Sequence, residues 1–216
     1  MGKKIVIVGG VAGGATAAAR LRRLDESAEI IVLERTGFVS YANCGLPYYV
    51  GGVIPEKSSL TLQSPESFRI RFNIDVRVLS EVTAIDRESK TVAVRNLATG
   101  EEYSLPYDKL ILSPGAKAMV PDTPGVHSKR VLKLRTVEDA LEMRRIVEEE
   151  KPERAVVVGG GFIGLEAAEN LMEAGVKVTL LQRSEQVLPP IDWDMACELH
   201  SHLREKGLDL RFKHSV

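Results

Sequence analysis

One pattern occurs twice in the chain, 150 residues apart: an apolar β-branched run, a glycine cluster, and an alanine-rich segment with helical spacing. The first copy reads KKIVIVGGVAGGATAAARLRRL and the second RAVVVGGGFIGLEAAENLMEAG, with Gly9 and Gly159 in register. Each is followed by another buried-strand signal, EIIVLE at residues 29–34 and VKVTLLQR at 176–183, so each copy reads as a βαβ unit. Two parallel strands need a crossover between them, and strands of unbroken Val and Ile need cover on both faces. Few architectures meet both demands. The fold class expected is α/β, with two Rossmann-like βαβ dinucleotide-binding units.

Between the copies the pattern changes. VRVLSEVTAID, TVAVRN and EEYSL alternate apolar with polar residues and are separated by RESK and LATG, which predicts an antiparallel β-meander over about 75–105 in the first unit. DKLILSPGA is a buried strand stopped by Pro114 and Gly115, expected to rejoin the parallel sheet. KAMVPDTPGVHSK reads as a connector. A helix then starts at Thr136, with Asp139 three residues on as a short capping box and Ala140, Met143 and Val147 on one face. The expected domains are 1–117 and 118–216. The second is expected to be incomplete at its C-terminus, since doubly wound sheets usually carry further strands.

The 216 residues are 44% hydrophobic, enough for a sizeable core. With 29 Lys and Arg against 30 Asp and Glu the net charge is −1, so no overall field attracts nucleic acid or an anionic membrane. The first apolar run is too short and too glycine-broken for a signal peptide or membrane span. The 2 cysteines, Cys44 and Cys197, lack C-x-x-C or metal-ligand spacing, and the reducing cytoplasm is the expected compartment.

Gly159, Gly161 and Gly164 fit G-x-G-x-x-G between strand and helix, where the backbone turns tightly, approaches a pyrophosphate and lets helix meet strand. The first copy is irregular, with Gly9, Val11 and Gly14, though Ala12 and Gly13 keep the turn small. Glu34 stands twenty residues beyond Gly14 at a strand end, where a carboxylate accepts the hydroxyl hydrogens of an adenosine ribose. At the equivalent position of the second copy stands Gln182, followed by Arg183. A neutral amide does not repel a 2′-phosphate, so NADH and NADPH both fit. Two nucleotide units in one chain imply two cofactors exchanging electrons.

The stretch SYANCGLPYY holds Cys44. Asn43 suits an N-cap, Pro47 a first helical turn, and Gly51 with Gly52 a helix end, which predicts Cys44 at a helix N-terminus, where a thiolate is favoured. The other reading is a small buried apolar side chain. Cys197, three residues before His200 on an amphipathic segment, reads as structural or as a surface residue. Thr16, Arg20 and Arg23 share one face of the first helix, and Arg69 and Arg71 add charge downstream; these are either a solvated stripe or a phosphate site.

The order of these pieces, a glycine-rich unit, SYANCGLPYYVGG, YDKLILSPGA and VVVGGGFIGLE, resembles the single-cysteine branch of the pyridine nucleotide-disulfide oxidoreductases. GGVAGGATAAARLRRL and NCGLPYY are similar to coenzyme A-disulfide reductases and NADH-dependent persulfide reductases, and the two-cysteine motif of glutathione-type reductases is absent. The resemblance implies FAD held by Gly9, Gly10, Ala12, Gly13, Gly14, Glu34, Arg35, Val82, Ser113 and Gly115. It implies NADH or NADPH at Gly159, Gly161, Phe162, Ile163, Gly164 and Gln182, and no metal. A coenzyme A-type substrate would meet Thr16, Arg20, Arg23, Ser40, Asn43 and Arg71, with Cys44 as redox nucleophile. The activity so implied is reduction of coenzyme A disulfide, persulfide or polysulfide. Two alternatives use the same residues: an NADH oxidase or peroxidase cycling through a cysteine sulfenic acid, and a nucleotide-binding or redox-sensing module without turnover. The resemblance also implies a homodimer formed through a C-terminal domain beyond this chain.

Overall fold

The opening run forms β1 (Lys4–Val8), the alanine-rich segment α1 (Ala12–Leu24), and EIIVL β2 (Glu29–Leu33) in the computed structural model, which describes residues 2–216. β1 and β2 pair in parallel, with Val6 opposite Ile31. The chain continues through a 3-10 turn at Asn43–Gly45 and a short helix α2 (Leu46–Val50) to α3 (Pro65–Phe72) and β3 (Asp75–Arg77). β4 (Ser80–Asp86), β5 (Thr91–Asn96) and β6 (Glu102–Pro106) form an antiparallel sheet, and β7 (Lys109–Leu112) returns to pair in parallel with β1. The order in the parallel sheet is β3-β2-β1-β7.

Alternation along β1 explains its unbroken apolar character. Ile5 and Ile7 point to the side of α1 and α3, among Ala15, Ala18, Phe68 and Ile74. Val6, with Ile31 and Leu33, points to the other side, where Val92, Val94 and Leu105 of the meander cover it. Val6 and Ile7 are fully buried, each contributing about 1.5–3 kcal/mol by leaving water. The α/β expectation, with two βαβ units and a meander in the first, is the architecture observed.

One boundary differs. The meander begins at Ser80, because residues 75–77 pair in parallel with β2, Val76 opposite Val32. The reason is α3, which supplies the crossover that parallel pairing requires. This helix is well signed: Ser64 and Ser67 form a reciprocal capping box, Pro65 opens the first turn, and Asn73 closes it in the left-handed region.

The second copy follows the connector. α4 (Val137–Arg145) starts at Thr136 with the expected Asp139 capping box and runs into a π-helical turn at Ile146–Glu150. β8 (Arg154–Val158), α5 (Phe162–Glu173), β9 (Lys177–Gln182), α6 (Trp193–Glu205) and β10 (Asp209–Phe212) follow, the parallel sheet having the order β10-β9-β8. Val156 is 61% exposed whereas its counterpart Val6 is fully buried. Among the described residues of this unit, no antiparallel layer covers that face.

Compactness divides the chain into two units. One runs through Ala42 and resumes over Thr61–Lys117; the other comprises Asn43–Leu60 and Ala118–Val216. A contiguous 1–117 domain therefore differs from this division at residues 43–60. There Leu46, Pro47, Tyr49 and Val50 are buried and α2 lies against α4 and α5. Among the described residues no helix is long and apolar enough to cross a membrane.

Candidate active site

In the first unit internal hydrogen bonds fix the strand-to-helix turn. The Gly9 N–H donates to the Leu33 carbonyl at 2.8 Å, and the Gly10 N–H donates to Glu34 Oε2 at 2.7 Å. Glu34 is buried, and its Oε1 accepts from the Thr36 N–H and hydroxyl, both at 2.8 Å. The carboxylate is thus oriented by three donors, while Oε2 retains a lone pair for a ligand hydroxyl. A Cβ on Gly14 would lie 1.8 Å from the Gly9 carbonyl oxygen, so glycine alone permits this approach of helix to strand. Val11, standing in place of the middle glycine, is the N-cap of α1, and no side chain among the described residues caps that helix. Its first N–H groups are left to an anion. Ala12 and Gly13 are exposed at this turn, and Ser113 Oγ lies 3.1 Å from a Cβ placed on Gly13. Gly115 follows in the left-handed region. Arg35 is exposed, with a loose 3.9 Å ion pair to Glu81, and half-buried Val82 packs against the core under the meander.

The second unit repeats the two bonds of the glycine turn. The Gly159 N–H donates to the Leu181 carbonyl at 2.8 Å and the Gly160 N–H to Gln182 Oε1 at 3.0 Å. A Cβ on Gly164 would sit 1.9 Å from the Gly159 carbonyl oxygen. Gly161 is the N-cap of α5, no side chain among the described residues caps it, and a Cβ there meets none of them within 4 Å. Gln182 Nε2 donates to Ser184 Oγ at 2.6 Å and to the Gln186 carbonyl at 3.1 Å, which turns the amide oxygen toward Gly160. Phe162 and Ile163 are exposed beside this opening.

The likeness extends past the glycines. Ser40 N–H donates to the Gly10 carbonyl at 2.9 Å and Leu188 N–H to the Gly160 carbonyl at 2.8 Å. Both hooks are non-glycine residues in the left-handed region, with φ of 48° and 46°. Val39 and Val187 lie beneath Gly10 and Gly160, each 2.9 Å from where a Cβ would be. His200 secures the second hook: its buried Nε2 accepts from the Val187 N–H at 3.2 Å, between the rings of Trp193 and Phe212. Burial, helped by the nearby Arg204 charge, pushes its imidazole below the ordinary range. Cys197, on the same helix, is half-buried.

Cys44 is exposed. The expected N-cap is corrected: Asn43, Cys44 and Gly45 form a 3-10 turn, and Gly45 caps α2, which has five residues. The tighter turn takes up the first residues of the segment, so Cys44 precedes the α-helix instead of lying in its first turn. Pro47 does fall in that first turn, and Gly51 ends it. The Oδ1 of Asn43 is buried and has no hydrogen-bond partner among the described residues. An unpaired buried acceptor of this kind is destabilising by about 1–3 kcal/mol until a donor reaches it.

In the first unit, Thr16, Arg20 and Arg23 are all exposed on α1. Arg23 Nε donates to the Ala19 carbonyl at 3.2 Å, which leaves the rest of its guanidinium to solvent or a ligand. Arg71 is exposed on α3 and lies over Phe72, 5.6 Å from the ring centroid.

A family model described as pyridine nucleotide-disulphide oxidoreductase matches residues 3–216. The chain belongs to this family. A coenzyme A disulfide reductase of Staphylococcus haemolyticus is 39% identical over 214 residues, 99% of this chain and 48% of that protein. The chain thus spans about half the length of the curated relatives it matches. Among solved structures, reduced Bacillus anthracis CoADR-RHD superposes with a TM-score of 0.98 at 51% identity, covering 100% of this chain and 39% of that one. An NAD-dependent persulfide reductase from A. fulgidus gives 0.90 at 38% identity, covering 97% and 40%.

Sequence reasoning does not find Thr36, nor the loop-tying roles of Ser40, Leu188 and His200. A signal for Thr36 is present, because a hydroxyl two residues after an acid commonly closes a local side-chain turn. The hooks and His200 act across loops, where no spacing rule applies.

Proposed function

We propose that the chain holds FAD in its first unit and NADH or NADPH in its second, and that it serves an oxidoreductase reducing coenzyme A disulfide, persulfide or polysulfide at Cys44. The observation that carries this reading is the duplicated cradle, in which glycine N–H groups, an uncapped helix start and a fixed strand-end acceptor recur, together with an exposed cysteine beside an unpaired Asn43 Oδ1. The residues fit a dinucleotide in each unit. Glu34 Oε2 would accept a ribose hydroxyl in the first, and Gln182 Oε1 in the second, where the neutral amide tolerates a 2′-phosphate. When bound, the flavin and nicotinamide supply hydride transfer and the electron pair that reduces sulfur.

The chain's own residues do the rest. The Cys44 thiolate attacks one sulfur of coenzyme A disulfide, the S–S bond breaks, and one coenzyme A thiolate leaves. The resulting mixed disulfide accepts two electrons, and the Cys44 thiolate and a second coenzyme A thiolate return. With a persulfide the same attack transfers the outer sulfur to Cys44; two electrons and two protons then release hydrogen sulfide and the thiol, whose proton is lost again. Asn43 Oδ1 would accept an N–H of the substrate, and Thr16, Arg20, Arg23, Ser40 and Arg71 would meet its phosphates and hydroxyls. The names of the coenzyme A disulfide reductase and persulfide reductase relatives support the substrate class.

Cys44→Ser in the complete enzyme tests this. The flavin spectrum should persist while reduction of coenzyme A disulfide and persulfide is lost; turnover at the unaltered rate refutes the assignment. A peroxide-reducing cycle would use the same exposed thiol but needs no phosphate site. An unchanged KM for coenzyme A disulfide in an Arg20→Ala, Arg23→Ala double variant would favour that cycle.

A further inference from the structure

Arg144, in the last turn of α4, reaches the far end of the short helix that follows Cys44. Its Nη1 donates to the Tyr49 carbonyl at 2.5 Å, its Cζ stands 5.3 Å from the Tyr49 ring centroid, and its Nε pairs with Glu148. The side chain is only 17% exposed. The Tyr49 carbonyl belongs to the open end of α2, where Gly52 N–H is its other donor at 3.2 Å. A guanidinium there completes the acceptor, sets positive charge at the negative end of the helix and lies over an aromatic face. Gly52 makes the room: a Cβ on it would approach Arg144 Nη1 to 3.3 Å.

A second contact holds the same end. Gly51 lies so close to α5 that a Cβ on it would be 2.7 Å from both the carbonyl oxygen and the side chain of Asn170, itself 1% exposed. α2 is therefore fixed from behind, at its C-terminal end, while Cys44 stands exposed at the other end. A groove of about 570 Å³, lined by Val50, Gly51, Arg144, Val147 and Lys151 among others, opens beside this clamp.

We infer that Arg144 is a positioning residue for Cys44: its guanidinium fixes the 43–50 segment on α4 and so sets where the thiol points. The inference rests on Cys44 being the nucleophile of the proposed reaction. It predicts a separation that a merely stabilising arginine would not produce. Sulfur chemistry depends on the direction of the thiol, whereas electron transfer from NAD(P)H through the flavin to an artificial acceptor does not.

The test uses the complete flavin-loaded enzyme with Arg144→Met, Arg144→Lys and Cys44→Ser. Each is assayed for reduction of coenzyme A disulfide and, separately, of ferricyanide. Arg144→Met should lose about 10- to 100-fold in kcat with coenzyme A disulfide, the scale of a thiol misplaced by about 1 Å. Its ferricyanide rate and KM for NAD(P)H should stay within about twofold. Arg144→Lys keeps the charge but lacks the planar fork, and should recover part of the loss. It also decides the matter if Arg144→Met fails to retain flavin. A parallel fall of both activities, or an undiminished kcat with the disulfide, overturns the positioning role. If Cys44→Ser itself reduces the disulfide normally, the functional reading fails. If Cys44→Ser is inactive and both Arg144 variants are normal, only the role of Arg144 fails.

Discussion

Alanine at Gly161 and at Gly164 should separate nucleotide binding from packing within one motif. Gly161 has φ −82° and ψ −178°, which any residue adopts, and a Cβ there meets none of the described residues within 4 Å. Alanine is the poorer N-cap by about 0.5–1 kcal/mol, yet it stiffens the unfolded chain by about 0.4–1 kcal/mol in the opposite sense. These effects nearly cancel, and the melting temperature should move by less than about 2 °C. The methyl group would, however, stand where a pyrophosphate must come within hydrogen-bond reach of the backbone. Losing one such charge-assisted bond costs about 1.5–3 kcal/mol, a rise in Kd of about 10- to 100-fold. Gly164→Ala reverses the outcome, because its Cβ would lie 1.9 Å from the Gly159 carbonyl oxygen and helix or turn must shift. That overpacking costs about 1–3 kcal/mol, or roughly 3–9 °C. Thermal unfolding and fluorescence titration of the full chain with NADH and NADPH read both quantities. Unaltered affinity for both nucleotides in Gly161→Ala would show that neither binds at this turn.

Two further predictions concern stability. Gly51→Ala should destabilise the fold by about 1–2 kcal/mol, since the backbone there is unstrained but the new Cβ meets the Asn170 carbonyl at 2.7 Å; denaturant unfolding measures it, and a stabilised variant would contradict the close approach. His200, whose imidazole is pushed down by burial, accepts the Val187 N–H only when neutral, so its contribution is complete above the ordinary histidine range and is lost as pH falls through that range to the lower folded value. The unfolding free energy of the unaltered chain minus that of His200→Phe should therefore shrink by about 1 kcal/mol between about pH 7.5 and 5, with the fluorescence of Trp193, the 1 tryptophan, as a local reporter; a pH-independent difference would remove His200 from the loop's support.

The fold was legible where a local rule has a local cause. The βαβ copies, the return of β7 beside β1 and the Thr136 cap follow from periodicity, parallel pairing and capping chemistry. The place of Glu34 at a strand end was legible as well, because it depends on a fixed distance from a glycine along one unit. α3 carried readable signals in Ser64, Pro65 and Asn73, and leaving that stretch unread shifted the meander boundary. The rear clamp on α2 was not legible: Arg144 and Tyr49 are 95 residues apart, and no periodicity links an arginine on one helix to a carbonyl at the end of another. The turn at Cys44 was misread for a different reason. Asn before a Pro-containing helix suits an α N-cap as well as the start of a 3-10 turn, and propensity does not separate them.

Between the second strand of each copy and its next long helix, the two copies differ at the segment that bears the cysteine. In each, the strand-end acceptor is followed by a left-handed hook that ties back to the glycine turn, Ser40 to Gly10 and Leu188 to Gly160. After Leu188 the second copy proceeds within a few residues to α6. After Ser40 the first copy instead closes a neck: the Ser40 carbonyl accepts from the Leu62 N–H at 3.1 Å, and Tyr41 bridges Thr61 in antiparallel fashion. Residues 43–60 are thus an insertion joined at its base to the βαβ scaffold that the two copies share. A duplicated unit already has a strand-end acceptor and an uncapped helix for one nucleotide per copy. An insertion closed at its neck adds an exposed cysteine without disturbing the sheet or the hook. The cysteine therefore falls on a part of the first copy that has no counterpart in the second, and what holds that part in place comes from Arg144 of α4, outside the repeat, and from Asn170 of α5, the second copy's own helix.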